Sequence, residues 1–332
     1  MRRLTLAEVE DARWGHGDSG LLFITDRCPV GCAHCSVDSR PDSPRITDFA
    51  LFEEIVSGLA LSQLSMVGIS GGEPFVERRA LQHAVRALRA VDKDVVVYTS
   101  GVWANTASPP NWIQQVIQQC GAIFLSTDSF HQAEISDERF MNAARAIAAH
   151  DVPIFVQVVE VDGLADRTES LLTAALGPTW STMAEINIVE PLPYGRAEGM
   201  FTPGPRRRGS SFGTCPVAKA PVVRYDGVVT GCCNESVLLG GGPAWLRRKI
   251  GSAPELTEAL GDFRNSPLLQ IITRVGVGEL AHHPRAGDVG DREFNSICGA
   301  CWLAVKRLAD DPQDGLLTAM AAMAAMGKES AL

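Results

Sequence analysis

The 332-residue chain is 45% apolar and 21% charged, with Gly 31 and Pro 19, a composition that supports packed cores and excludes a disordered or low-complexity chain. Its formal charge of -9 excludes a nucleic-acid or anionic-membrane surface as the principal partner, since Arg206 to Arg208 is too short a cluster to make the basic face these need. Leu316 to Met326 is too short to cross a bilayer, and Glu8, Glu10 and Asp11 break any secretory segment behind Arg2 and Arg3, so a cytoplasmic protein is expected.

Disulfides are disfavoured in that compartment, so nine cysteines ask for metal or thiol chemistry. In chain order, residues 1–20 read as an N-terminal extension, and the apolar run Leu21 to Thr25 predicts a first strand. It leads into Cys28-Pro-Val-Gly-Cys32-Ala-His-Cys35, where three thiols within eight residues can converge on one metal centre. A structural zinc would be one ligand short there, whereas an iron-sulfur cubane on three thiolates keeps one iron open for a substrate or cofactor.

Five further strands are predicted over Met66 to Ser70, Val95 to Thr99, Ala122 to Thr127, Pro153 to Glu160 and Glu185 to Glu190. Helix-face spacing lies between them at Phe52/Ile55/Val56/Leu59, Leu81/Ala84/Val85/Leu88, Ile113/Val116/Ile117/Cys120 and Phe140/Ala144/Ile147, with a fifth helix around Leu171 and Leu172. This alternation, at the roughly 30-residue period of a βαβ unit, predicts a parallel α/β sheet with helices outside over the first 200 residues. Active sites in such sheets lie beyond the C-terminal strand ends. That rim collects the cysteine loop, Gly71-Gly72-Glu73-Pro74, Ser100-Gly101, Asp128 with Ser129, and Pro191 to Ala197. Gly71 and Gly72 permit close backbone approach to a small ligand, and Glu73 offers a carboxylate. His131 lies on the same rim and is expected to be exposed, while Cys120 is expected in the core.

After Ala197 the composition shifts to Pro, Gly, Ser and Arg, marking residues 201–214 as a linker between the parallel α/β unit at 21–200, open or partly closed, and a smaller module at 215–332. There, Asp226-Gly227 between Val222 to Tyr225 and Val228 to Thr230 predicts a two-residue hairpin whose second strand delivers Cys232 and Cys233. Helices are predicted near Glu255 to Leu260 and Leu268 to Val275, and Cys298 and Cys301 open a final one. Cys215, one of the adjacent pair, Cys298 and Cys301 suffice for a second site of zinc or of a cluster. Spacing nominates Cys232 as its ligand, with Cys233 on the opposite strand face, although Cys233 as ligand stays open. His282 and His283 show no partner pattern.

These residues resemble the radical S-adenosylmethionine superfamily, whose mark is a C-x3-C-x2-C loop after the first strand of a partial (β/α)6 barrel, matched by Cys28, Cys32 and Cys35. His34 takes the position before the third cysteine, which the family usually fills with an aromatic residue by the adenine. Gly71-Gly72-Glu73-Pro74 looks like the loop that binds the methionyl amino group, and Pro193-Tyr-Gly-Arg-Ala197 is similar to a segment of members with a C-terminal cluster domain. Cys215, eleven residues, Gly227, four residues, Cys232 and then Cys298-x2-Cys301 resemble the shorter, twitch form of the SPASM extension, which holds one auxiliary cluster.

The resemblance implies two [4Fe-4S] clusters, on Cys28/Cys32/Cys35 and on Cys215/Cys232/Cys298/Cys301, with S-adenosylmethionine on the first and a flavodoxin or ferredoxin as electron donor. It places Gly71, Gly72 and Glu73 at the methionyl end and Thr99, Ser100, Ser126 and Asp128 at the ribose and carboxylate, and it suggests Cys233 as hydrogen-atom donor to a substrate radical. The expected activity is hydrogen abstraction that epimerises, crosslinks or oxidises a ribosomally made peptide, although the short segment before the first strand leaves no room for a leader-binding domain. A sugar or aminocyclitol dehydrogenase or epimerase is the alternative, and a non-catalytic iron-sulfur scaffold is disfavoured by the intact loop. No nucleic-acid or membrane partner is expected.

Overall fold

Strands that are apolar on both faces must be covered on both, and this chain does so by winding helices around a parallel sheet and filling the inside of its curve with its own N-terminus. The computed structural model of the protein describes residues 2–159, 164–202, 204–311 and 314–329. Six strands, β1 (Ser19–Phe23), β2 (Met66–Ser70), β3 (Asp94–Thr99), β4 (Ala122–Ser126), β5 (Ile154–Val159) and β6 (Ala184–Val189), pair in parallel in sequence order. Their ends fall within two residues of those predicted, and Glu160, the expected end of the fifth, lies outside the described residues.

The chain opens with α1 (Leu6–Glu10) and a π-helical turn over Asp11–His16. The barrel helices follow as α2 (Phe49–Leu61), α3 (Arg78–Arg89), α4 (Asn111–Gln118), the short α5 (Ser129–Gln132), α6 (Asp137–Ala148) and α7 (Leu164–Leu176). One strand face, including Leu22, Ile69, Val97 and Leu125, packs on these helices in the main core. The other, with Met66, Val96, Phe124 and Phe155, is covered by Leu4, Leu6 and Val9. A backbone bond from Leu4 to the Gly121 carbonyl, just before β4, fixes this plug at the N-terminal strand ends and leaves the opposite rim free. Only a capping box announces it, in which Thr5 Oγ1 accepts from Glu8 N while Thr5 N donates to Glu8 Oε2.

The linker is more structured than its composition suggests. Within it β7 (Arg207–Arg208) pairs antiparallel with β11 (Glu293–Phe294), Arg206 donates to the Glu293 carbonyl, and the Arg207 guanidinium lies 4.6 Å from the Phe212 ring. The hairpin of β8 (Val222–Arg224) and β9 (Val228–Thr230), followed by β10 (Arg247–Lys249), forms no separate sheet. β8 pairs in parallel with β1, giving one nine-stranded sheet ordered β10-β9-β8-β1-β2-β3-β4-β5-β6. The free edge of β1 explains this, since an uncovered edge leaves unpaired backbone groups. The hairpin turn spans Tyr225, Asp226 and Gly227, one residue more than predicted, with Gly227 at φ 86° and Asp226 Oδ1 accepting from Val228 N.

The remaining helices are α8 (Glu235–Leu238), α9 (Ala253–Asn265), α10 (Pro267–Arg274), α11 (Gly287–Asp291), α12 (Ile297–Leu308) and α13 (Gly315–Glu329), with α9 packed on α2 and β9 and α13 packed on α10. His283, for which the sequence shows no partner, is buried with Nε2 3.0 Å from Asp314 Oδ2, just before α13. Among the described residues no helix is long and apolar enough to cross a membrane.

If the plug is part of the core, Leu6→Ala lowers the unfolding free energy by about 2–4 kcal/mol, whereas Leu61→Ala at a position 75% exposed stays within about 0.5 kcal/mol. Denaturant titration of both variants checks this, and equal effects would contradict it.

Candidate active site

Cys28, Cys32 and Cys35 leave β1 on a loop held by few bonds of its own. Cys28 N donates to the Arg40 carbonyl at 3.0 Å and Cys35 N to the Cys32 carbonyl at 3.2 Å. All nine cysteines are free thiols. Burial pushes the Cys28 thiol up to about 12, with Glu73, Cys32 and Cys35 adding to the shift, so this thiol stays protonated until a cation draws off the proton. Three soft sulfur donors on one loop fit an iron-sulfur cluster with an open iron better than tetrahedral zinc. The buried His34 Nδ1 beside them has no hydrogen-bond partner among the described residues.

The loop's strongest hold comes from the far side of the barrel. Arg196, in the Pro193 to Ala197 segment after β6, donates from Nε and Nη2 to the Cys32 carbonyl at 3.0 and 2.8 Å and from Nη1 to the Ser39 carbonyl at 2.6 Å. Its backbone N–H donates to the Cys35 carbonyl at 2.9 Å. Gly195 precedes it at φ 59°, where a Cβ would lie 2.6 Å from the Cys35 carbonyl oxygen. Only glycine allows the segment to approach so closely.

The Gly71-Gly72-Glu73 loop packs on the same cysteines. A Cβ on Gly72 would stand 2.2 Å from the Arg27 carbonyl oxygen and 3.0 Å from Cys28 Cβ, so this glycine serves loop-to-loop packing. Glu73, 1% exposed, accepts from Thr99 Oγ1 at 2.8 Å, Ser100 N at 2.9 Å, Ser100 Oγ at 2.5 Å and Phe75 N at 3.2 Å. Burial pushes its carboxyl up, while these bonds favour the charged form. Thr99 and Ser100 are thus joined to Glu73 in one buried knot, and Ser126 sits half-buried at the end of β4.

Asp128 and His131 form a second knot. Asp128 Oδ1 accepts from Phe130 N and His131 N, both at 2.9 Å, and Oδ2 lies 2.8 Å from His131 Nδ1 and 3.5 Å from His34 Nε2. His131, expected to be exposed, is turned inward because Asp128 caps the short α5. Burial lowers His131, but its hydrogen bond to Asp128 and the charges of Asp128 and Cys32 outweigh this and hold it up at about 10. Burial drives His34 down to about 4.

The late cysteines separate into two environments. Burial and then the charges of Cys215, Cys232 and Cys298 push the Cys301 thiol well up, and Cys232 in turn feels Cys215 and Cys298. Cys215, Cys232 and Cys298 are thus the charged neighbours of Cys301, and Cys298 and Cys301 stand three residues apart on one face of α12. Burial, then the charge of Cys298, pushes the Tyr194 hydroxyl up to about 12, and Asn234 Nδ2 lies 3.5 Å from the Cys298 sulfur. Cys233 instead packs with Leu21, Phe23, Val222 and Leu238, and its charged neighbours are Glu235 and Arg13. Leu21 and Phe23 lie on the face of β1 opposite Leu22, which packs on the helices in the main core, so Cys233 sits against the inner face of the sheet. Cys120 is fully buried, its sulfur donating to the Val116 carbonyl.

Sequence reasoning placed Tyr194 and Arg196 on the rim within Pro193 to Ala197 without assigning either a partner, and it missed the inward turn of His131. A cationic residue after a rim glycine and an Asp three residues before a histidine were the available signals. At the barrel interior, Ser126, Gln157 and Asn187 stand side by side across β4, β5 and β6, a polar lining that no motif marked.

Comparison with known proteins agrees with this geometry. Residues 22–172 match the family model described as Radical SAM superfamily. A curated relative, "7-carboxy-7-deazaguanine synthase" of Pyrobaculum aerophilum, is 35% identical over 80 residues, a stretch that covers 24% of this chain and 36% of that protein. The solved structure described as "Native anSMEcpe with bound AdoMet and Kp18Cys peptide" shares the fold at TM-score 0.51 and 13% identity, over 89% of this chain and 97% of that one. "Crystal structure of BtrN in complex with AdoMet and 2-DOIA" aligns at TM-score 0.44 and 13% identity, over 84% and 91%. With a three-thiol loop after the first of six parallel strands and a family model spanning that strand to α7, this chain carries a domain of the radical S-adenosylmethionine superfamily at residues 22–172.

Proposed function

We propose that this chain is a radical S-adenosylmethionine epimerase, which takes a hydrogen atom from a carbon of a ribosomally made peptide and returns one from Cys233 to the other face. The observation that carries the reading is the division of the adjacent pair: Cys232 stands with three other thiols, and Cys233 faces the barrel interior. When bound, the cluster and S-adenosylmethionine supply the one-electron cleavage that yields methionine and a 5′-deoxyadenosyl radical. Cys28, Cys32 and Cys35 would hold that cluster, while Arg196 fixes the carbonyls of their loop.

Once the substrate C–H hydrogen has left, the Cys233 S–H bond breaks, its hydrogen forms a new C–H bond, and a thiyl radical remains on sulfur. One electron and one proton restore the thiol. With the electron used in the cleavage, each turnover takes two electrons, drawn from a flavodoxin or ferredoxin, and Cys215, Cys232, Cys298 and Cys301 would hold the auxiliary [4Fe-4S] cluster that relays the second. Gln157 and Asn187 offer carboxamides to a peptide backbone. A sugar or aminocyclitol is the second reading, favoured by Arg13 and Glu235 beside Cys233, charged groups suited to a small polar ring.

Turnover in deuterium oxide separates the outcomes. Epimerisation leaves product with one deuterium and otherwise unchanged mass, whereas dehydrogenation or crosslinking removes hydrogens. Anaerobic incubation with a peptide or an aminocyclitol, read by mass spectrometry and chiral analysis, is expected to show the former and is contradicted by net oxidation. Cys233→Ala is expected to keep forming 5′-deoxyadenosine while incorporating no solvent deuterium; incorporation at the wild-type level would exclude Cys233 as donor. Replacing Cys28, Cys32 and Cys35 with alanine should abolish 5′-deoxyadenosine formation. Arg196→Gln, which removes the clamp, is expected to lower iron at the first site several-fold and spare the second, as iron analysis and electron paramagnetic resonance would show.

A further inference from the structure

Building on the proposed peptide substrate, we infer that a cationic peptide binds as a further strand on the free edge of β6, backbone to backbone. The nine-stranded sheet ends in two edges of different character. β10 is three residues long and reads Arg-Arg-Lys, and both its shortness and its cationic side chains discourage another chain from pairing. β6 is paired with β5 along all six of its residues, contains neither Lys nor Pro, and leaves Ile188 52% exposed. No strand among the described residues pairs with its other side. An edge of that length and composition is a template for an extended backbone.

The register fixes which groups are free. Ile154 N donates to the Met183 carbonyl at 2.9 Å, and the pairing runs from Ile154 with Ala184 to Val159 with Val189. Residues 183, 185, 187 and 189 therefore turn their backbone groups to β5, while Ala184, Ile186 and Ile188 turn theirs outward. Side chains alternate between the two faces of the sheet. Asn187 stands beside Gln157 and Ser126 on the inner face, against which Cys233 sits, and Ile186 packs on the main core. A strand added to β6 extends that polar row by one position, about 4.8 Å beyond Asn187. One residue of the peptide is thereby presented to the interior, and the backbone bonds on either side hold it in register.

Charge selects the kind of peptide. Glu185, Glu190 and Glu198 are exposed along and just beyond the strand, and none of them forms an ion pair with a described residue. Unpaired carboxylates there favour a peptide that carries Lys or Arg. They also disfavour a second copy of the chain as the occupant, because edge-to-edge pairing would set like charges against one another.

The probe is a pooled library of end-capped octapeptides of mixed charge, offered anaerobically to the reconstituted full chain and read by mass spectrometry of the retained members. The wild type is expected to retain basic members, less so as salt rises. The same pool N-methylated at every residue keeps its side chains but lacks backbone donors, and it should not be retained. Ile188→Pro removes one outward N–H and leaves the pairing with β5 intact, since edge strands accept proline where the N–H faces away from the sheet. It should weaken binding of a retained peptide about tenfold, the loss expected of one or two backbone hydrogen bonds. Iron content and thermal melting report on its folding, and should it not fold, the N-methylated pool alone decides. Equal retention of the two pools, or wild-type affinity in a folded Ile188→Pro protein, would overturn the edge while leaving a peptide substrate in place. A dimer that dissociates in Ile188→Pro would overturn it by putting a second copy there. A wild type that retains no peptide would overturn it too, and turnover of an aminocyclitol by that protein would overturn the peptide reading with it.

Discussion

A loop that presents three thiols in eight residues is paired through its backbone at its start, by the Arg27–Arg40 bridge, and is held across the barrel by one guanidinium. Arg196 spans 164 residues of sequence to reach the Cys32 carbonyl and also bonds that of Ser39, so the end of the sixth strand holds the loop after the first. Arginine suits this task because its planar fork serves several carbonyls at once without shedding its charge. The clamp also relieves carbonyls that regular secondary structure does not pair, which would be costly to leave unsatisfied if buried.

The same segment joins the two groups of thiols. Tyr194 feels the charge of Cys298 at the late cysteines, while Arg196, two residues on, grips the early loop. The strand pairing explains how both groups come to flank one interior. β8 runs parallel to β1, and β9 returns antiparallel so that Thr230 pairs with Val222, itself opposite Leu21. Cys232 and Cys233 therefore stand below the first cysteine loop, and the direction each points decides which can be a ligand and which can meet a substrate. With the plug of Leu4, Leu6 and Val9 closing the N-terminal strand ends, the polar lining of Ser126, Gln157 and Asn187 lies toward the open rim.

How much of this was legible in the sequence depended on the range of the interaction. The six barrel strands were legible because each is a short apolar run between helix-period segments, and the cysteines because their spacing is local. The N-terminal plug was not, since the five residues of α1 are too few to display a period and its role depends on contacts with β2 to β5. The continuity of β8 with β1 was hidden for a similar reason, because three-residue strands show composition but not partner. His131 was misjudged because capping by Asp128 reverses the usual exposure of a loop histidine. The bond between His283 and Asp314 joins two loops and left no periodic trace. Within the candidate site the sequence marked the residues but not their partners. Thr99, Ser100 and Glu73 were placed on one rim, yet only the structure shows that they bond to one another.

The central claim is that Cys28, Cys32 and Cys35 hold one cluster while Cys215, Cys232, Cys298 and Cys301 hold another, leaving Cys233 free. Iron analysis with Mössbauer spectroscopy on anaerobically reconstituted protein tests this most directly. The account predicts about eight irons per chain in the wild type and in Cys233→Ala, and about four when Cys28, Cys32 and Cys35 are replaced by alanine. About four irons in the wild type, or zinc bound at the late cysteines in place of iron, would contradict it.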